Sequence, residues 1–278
     1  MANHENTQQY ALGNTPAEHE RLAWQADRFD PFTETFFRSA GIGSGDRVLD
    51  LGSGAGHVAM LVARIVGPTG SVVGVERDAG SITLAQNRVA AAGLHNVTFT
   101  HSDVNEIPAG DLFDAAVGRF ILMFLPDPVR VVRLLADLVR PGGVIAFHEV
   151  SWAAFLERSD ATPLCMKCAR LIHETFRQSK ANTEMGPELS EVYRQAGLPA
   201  PTMTSEMLLG NAADLTRWLV DLLLVLRPQI QQFGLPFDEV GPMQTLPDRL
   251  FAELAAANGI IGGPDIVGGW SQTAARQS

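Results

Sequence analysis

Residues Val48 to His57 read VLDLGSGAGH, an apolar run that breaks into three glycines at alternate positions and then enters a helical pattern. Glycine takes left-handed backbone without steric cost and lets main chain approach a ligand closely. Arg47 to Leu51 before the glycines reads as a strand, and His57 to Val66, closed by Gly67 and Pro68, reads as a helix. Strand, tight turn and helix in that order make the first half of a βαβ unit, whose next strand runs parallel to the first. Ligands of such sheets sit beyond the carboxyl ends of the strands.

The alternation continues. Ser71 to Val75, Val97 to Thr100, Phe113 to Gly118 and Gly143 to Phe147 have strand character, with helices at Ala79 to Ala92, stopped by Gly93, and at Asp127 to Val139. After Ser151 the regularity fails. Helices are expected at Pro163 to Ser179, Gly186 to Gly197 and along the apolar stripe Leu215 to Leu226, ended by Pro228, with strands at Thr202 to Leu209 and Ile260 to Trp270. The expectation is an α/β fold with a mostly parallel seven-stranded sheet and helices on both faces. Three zones follow: an N-terminal helical arm or lid over 1–45, broken at Pro31 into two short helices; a core over 46–150; and 151–278, with cap insertions at about 151–185 and 211–258.

Glu76 ends the second strand, twenty residues past Gly56, where a carboxylate accepts the hydroxyl protons of a ribose. The ligand should therefore contain a nucleoside. A dinucleotide fingerprint needs its third glycine at position 57, where His57 stands instead. Asp50 is badly placed beside a pyrophosphate and well placed beside a cation. No phosphate-binding loop with a Lys is present. S-adenosylmethionine, with its sulfonium and ammonium, fits best.

The stretch resembles the class I S-adenosylmethionine-dependent methyltransferases, and its motifs match in order over about 46–150. VLDLGSGAG is similar to the first motif, VVGVERDAGSITLA to the second strand with its ribose acid, and HSDVNEIP to the adenine segment. FDAAVGRFILMFLPDP and RPGGVIAFHEV resemble the fourth strand and the turn into the fifth. The resemblance implies a Rossmann-like core in which Gly52, Ser53 and Gly54 lie against the methionine part of the cofactor. It also implies that Glu76 holds the ribose, Asp103 and Val104 read the adenine with Arg77 beside it, and the Arg119 carbonyl faces the ammonium. A lid helix implies Arg21 or Gln25 at the cofactor carboxylate.

Methyl transfer from a sulfonium needs positioning above all, and for a hydroxyl acceptor a base as well. His148 and Glu149, after the fifth strand, are the first candidates, with strand alternation turning one of them into the pocket. His173, beside Glu174 on a cap helix, is a third candidate. Trp152, Phe155, Phe176, Trp218, Met166, Met203 and Met207 are candidate pocket lining, suited to a flat or greasy acceptor such as a secondary metabolite. The rival readings are a non-methylating reaction such as cyclisation on the same fold, a binding module without catalysis, and an NAD-dependent oxidoreductase.

With 21 Lys+Arg against 31 Asp+Glu, the net charge of −10 argues against nucleic acid as partner. Cys165 and Cys168, the two cysteines, cannot make a four-ligand metal site, and no metal is expected. The apolar stretch Trp218 to Leu226 is too short for a membrane span. The N-terminus lacks secretory-signal character, so a cytoplasmic location is expected. The expected partner is a small-molecule acceptor, with a homodimer left open.

Overall fold

The computed structural model describes residues 16–104, 106–107, 110–157, 162–257 and 261–274. Seven strands, β1 (Arg47–Leu51), β2 (Ser71–Glu76), β3 (Val97–His101), β4 (Phe113–Arg119), β5 (Val139–Ser151), β6 (Thr202–Gly210) and β7 (Ile261–Gln272), form one sheet. Its order is β3-β2-β1-β4-β5-β7-β6. β1 to β5 pair in parallel, whereas β7 runs antiparallel between β5 and β6. That reversal brings the first residues of β7 to the edge where the parallel strands end.

Nine helices accompany the strands among the described residues: α1 (Pro16–Ser39), α2 (His57–Val66), α3 (Ala79–Ala91), α4 (Pro128–Leu138), α5 (Ala153–Glu157), α6 (Pro163–Gln178), α7 (Met185–Ala196), α8 (Ala212–Gln232) and α9 (Leu246–Ala256). Strand alternation divides the core between the two faces. Val48, Ala115, Val117 and Ala146 pack with α2 and the end of α1, while Leu49, Leu51, Ala116 and Ile145 pack toward α4, α6 and α8. The sheet class and seven strands are as read from the sequence. No helix among the described residues is long and apolar enough to cross a membrane.

Two prolines expected to end helices lie inside them. Pro31 sits within α1 and Pro228 within α8. A proline removes one N–H bond and crowds the preceding turn, at a cost of about 3 kcal/mol. Packing on both sides outweighs it: Ala26, Phe36 and Phe37 are buried along α1, as are Leu226 and Ile230 along α8. At its carboxyl end β5 extends beyond the expected Phe147 because β7 pairs with it as far as Ser151.

Candidate active site

The site begins where β1 ends. Gly52, Gly54 and Gly56 hold φ values of 64°, 49° and 83°, a region that disfavours side chains. A Cβ on Gly52 would lie 2.5 Å from the Ile121 side chain. The Ser53 N–H donates to the Val75 carbonyl at 3.0 Å and the Gly56 N–H to the Ser53 carbonyl at 2.8 Å, so the turn is fixed at both ends. Glu76 bends its carboxylate back toward this loop. Oε2 accepts the Gly54 N–H at 3.0 Å, and Oε1 accepts those of Arg77 and Asp78 at 2.9 Å each. Three donors immobilise the carboxylate and leave Oε2 free capacity for a hydroxyl proton.

Asp50 lies beneath the loop, 1% exposed. One oxygen accepts the Ala59 N–H while Oδ2 has no partner, and burial pushes the carboxyl up to about 8 against the pull of Arg119. The Ser53 hydroxyl is also buried without a partner. Beyond β3, the Ser102 N–H donates to the Glu76 carbonyl at 3.0 Å, which sets Asp103 and Val104 beside the end of β2. Arg77 is exposed at the same edge.

Helix α1 crosses this edge and is tied down along its length. Arg119, at the end of β4, donates to Asp30 at 2.9 Å and to the Thr33 hydroxyl at 3.0 Å. Arg88 of α3 joins the Ala55 carbonyl, the His57 ring and the His19 carbonyl, linking loop to lid. Arg21 pairs with Glu18 at 2.6 Å, both buried, and donates to Gln25 Oε1 at 2.6 Å. Gln25 and Arg21 thus meet each other on the lid.

Between α1, α8 and the ends of β6 and β7 lies a cavity of about 110 Å³. Trp24 and Phe29 face Leu215 and Trp218 across it, with Gly263 on its floor and the Arg28–Asp214 ion pair at its side. Phe29 also meets Phe120 edge to face at 5.6 Å. Phe120 follows Arg119 directly and has a φ of 54°, an uncommon conformation for an aromatic residue. The cavity therefore lies one aromatic layer from the strand end that carries Arg119.

The family model described as Methyltransferase domain matches residues 42–197, more than half of the chain. The chain belongs to the class I S-adenosylmethionine-dependent methyltransferases. It is 34% identical over 141 residues to an arsenite methyltransferase of Halobacterium salinarum, covering 47% of this chain and 36% of that one. It is 30% identical over 188 residues to a demethylmenaquinone methyltransferase of Geobacillus stearothermophilus, covering 63% and 77%. For several curated relatives the chain spans between a third and just under two thirds of their length. The solved structure of the (4+2)-cyclase SpnF superposes with a TM-score of 0.54 at 21% identity, covering 88% of this chain and 81% of that one, which is a likeness of fold.

The cofactor of this family is S-adenosylmethionine, and the residues present fit it. A glycine cradle open to main-chain contact, a fixed carboxylate with spare lone pairs at Glu76, and the unpartnered Asp50 Oδ2 and Ser53 Oγ offer acceptors for hydroxyl and ammonium protons. The reading as an NAD-dependent oxidoreductase falls with the family assignment.

The residues expected to supply a base need correction. His148 is fully buried, stacked on Phe36 at 4.8 Å, with Nδ1 3.2 Å from the Thr33 hydroxyl. Burial, aided by the charge of Arg119, holds its imidazole down at about 3, too weak a base for neutral pH. Glu149 accepts the Ile121 and Leu122 N–H groups at 3.0 and 2.8 Å, fixing the turn after β4. Burial pushes this carboxyl up to about 8, so it is protonated near neutrality. His173, on α6, lies 3.0 Å from the Thr183 hydroxyl, and Glu174 pairs with Arg177 at the surface. None of these residues lines the cavity. Strand alternation separated the His148 and Glu149 side chains without showing that α1 covers one and the β4 turn consumes the other.

Of the expected lining residues, Trp218 is at the cavity, whereas Trp152, Phe155, Phe176 and Met166 belong to the buried core and Met203 is exposed. Sequence reading missed Trp24, Arg28, Phe29 and Asp214. The aromatic and cationic pair Trp24 and Arg28, four residues apart on a helix, was the available signal.

Proposed function

We propose that this methyltransferase acts on a small organic acceptor enclosed between the lid helix α1 and the cap helix α8. The observation that carries this reading is the covered carboxyl edge. α1 is bound to β4 through Asp30 and Arg119 and to α8 through Arg28 and Asp214, and an apolar cavity remains beneath. Residues 151–185 and 211–258 serve in this reading as the cap over a core at 46–150. When bound, S-adenosylmethionine supplies an electrophilic methyl group whose transfer leaves the bonding pair on sulfur. The chain supplies position: Glu76 and the adenine segment at Asp103 and Val104 hold the nucleoside, and Asp50 with the Gly52 to Gly54 backbone holds the methionine end. Arg119, between Asp50 and the lid, locks α1 over both.

An organic acceptor is favoured over arsenite, the substrate named for two relatives. Trivalent arsenic is a soft centre that prefers thiolates. The two cysteines, Cys165 and Cys168, are buried on α6 and burial pushes both thiols up to about 12. The test is incubation with S-adenosylmethionine and a panel of quinols, phenols and polyketide-like rings, read by mass spectrometry. A product heavier by one methyl, with one S-adenosylhomocysteine per turnover, is expected; an isomer of unchanged mass would establish cyclisation instead, and no product across the panel would leave only a binding module.

A further inference from the structure

We propose that the cavity between α1 and α8 holds the acceptor as a single hydroxylated aromatic ring whose O–H is bound by Asp214; this rests on the small-molecule reading above. A volume of about 110 Å³ is somewhat below the roughly 150 Å³ cavity known to admit benzene, so one ring fits with slight adjustment. Trp24, Phe29 and Trp218 offer aromatic faces and edges to such a ring. Arg28 and Asp214 are the ionisable residues on the wall. Arg28 lies over the Trp24 ring at 3.8 Å and pairs through Nη2 with Asp214 Oδ1, which leaves Oδ2 to accept from a ligand hydroxyl. The Asp214 N–H donates to Asn211 Oδ1 at 2.9 Å in the first turn of α8, so the carboxylate is set by a helix cap. A ring bearing a carboxylate would meet Asp214 and one bearing an ammonium would meet Arg28, so the neutralised pair selects an uncharged ring.

Arg28 acts as a positioning residue that fixes the Asp214 carboxylate at the cavity wall.

The test titrates the full chain, saturated with S-adenosylhomocysteine, with 4-ethylphenol and with ethylbenzene, read by calorimetry and tryptophan fluorescence. Expected is saturable binding with quenching, the phenol about tenfold tighter through its hydrogen bond to a charged group. Gly263→Leu fills the cavity and weakens the phenol at least about tenfold; its Cβ would meet no atom within 4 Å, so the fold accepts it. Asp214→Ala makes the two ligands bind alike. Absent phenol binding, an unaffected Gly263→Leu protein, or a phenol preference that survives Asp214→Ala overturns the proposal. Failure of S-adenosylhomocysteine itself to bind is a distinct result that overturns the cofactor site beneath it.

Discussion

The half of the site proposed to hold the cofactor and the half proposed to hold the acceptor are built from different materials. The cofactor half is main chain: glycines at positive φ, N–H groups of Gly54, Arg77 and Asp78 around one carboxylate, and strand ends in fixed register. The acceptor half is side chain, with Trp24, Phe29, Leu215 and Trp218 on two helices joined by an ion pair. Main-chain geometry admits few residues at each position, whereas helix faces admit many of similar size. The cofactor should therefore be common to relatives whose acceptors differ, and the glycines of the two halves should respond to substitution in opposite ways.

The largest expected effect breaks the first half. Gly52→Val adds strain at positive φ and places Cβ against Ile121, so S-adenosylhomocysteine affinity should fall by about a hundredfold or more. Gly263→Leu in the second half should leave that affinity within about twofold and the folding stability within about 1 kcal/mol. Equal tolerance at both glycines, measured by calorimetry and denaturant unfolding, would erase the contrast.

A smaller effect concerns the buried groups beneath the two halves. Asp50 and Glu149 are raised to about 8, so they stabilise the fold in their protonated form and that contribution is lost as pH rises from the ordinary carboxylate range through 8. His57 and His148 are lowered to about 3, so their contribution is present above about 6.5 and lost as pH falls toward 3. Between about 4.5 and 6.5 the two trends offset, which gives a plateau of stability. Thermal unfolding should show that plateau with a decline toward pH 8, and Glu149→Gln, fixed in the neutral form, should remove about half of the decline. A monotonic rise from pH 5 to 8 would contradict the burial of both carboxyls as neutral acids.

What could be read from sequence follows the same division. The glycine loop, the carboxylate that ends β2 and the succession of strands along the chain were legible because backbone constraint leaves a pattern: glycine spacing, apolar runs, helix stops. The acceptor half was not, because its walls come from residues nearly 200 positions apart, such as Arg28 and Asp214, and apolar residues on a helix look alike whether they face core or cavity. Pro31 and Pro228 misled for a related reason. Their local penalty was visible, while the tertiary packing that overrides it, at Phe36 and Phe37 or at Leu226 and Ile230, was not. His148 and Glu149 were placed at the right strand end, yet their surroundings depend on α1 and on the turn after β4, which no local pattern announces.

The central claim is that the loop after β1 and the carboxylate ending β2 together make a site for S-adenosylmethionine. Calorimetric titration with S-adenosylhomocysteine, with NAD as control, tests it on the native chain and on Glu76→Ala. Expected is saturable binding of S-adenosylhomocysteine alone, weakened about five- to 150-fold in the variant by loss of about 1 to 3 kcal/mol of hydrogen bonding to a charged group. Unchanged affinity in a folded Glu76→Ala protein, or binding of NAD in place of S-adenosylhomocysteine, would contradict it.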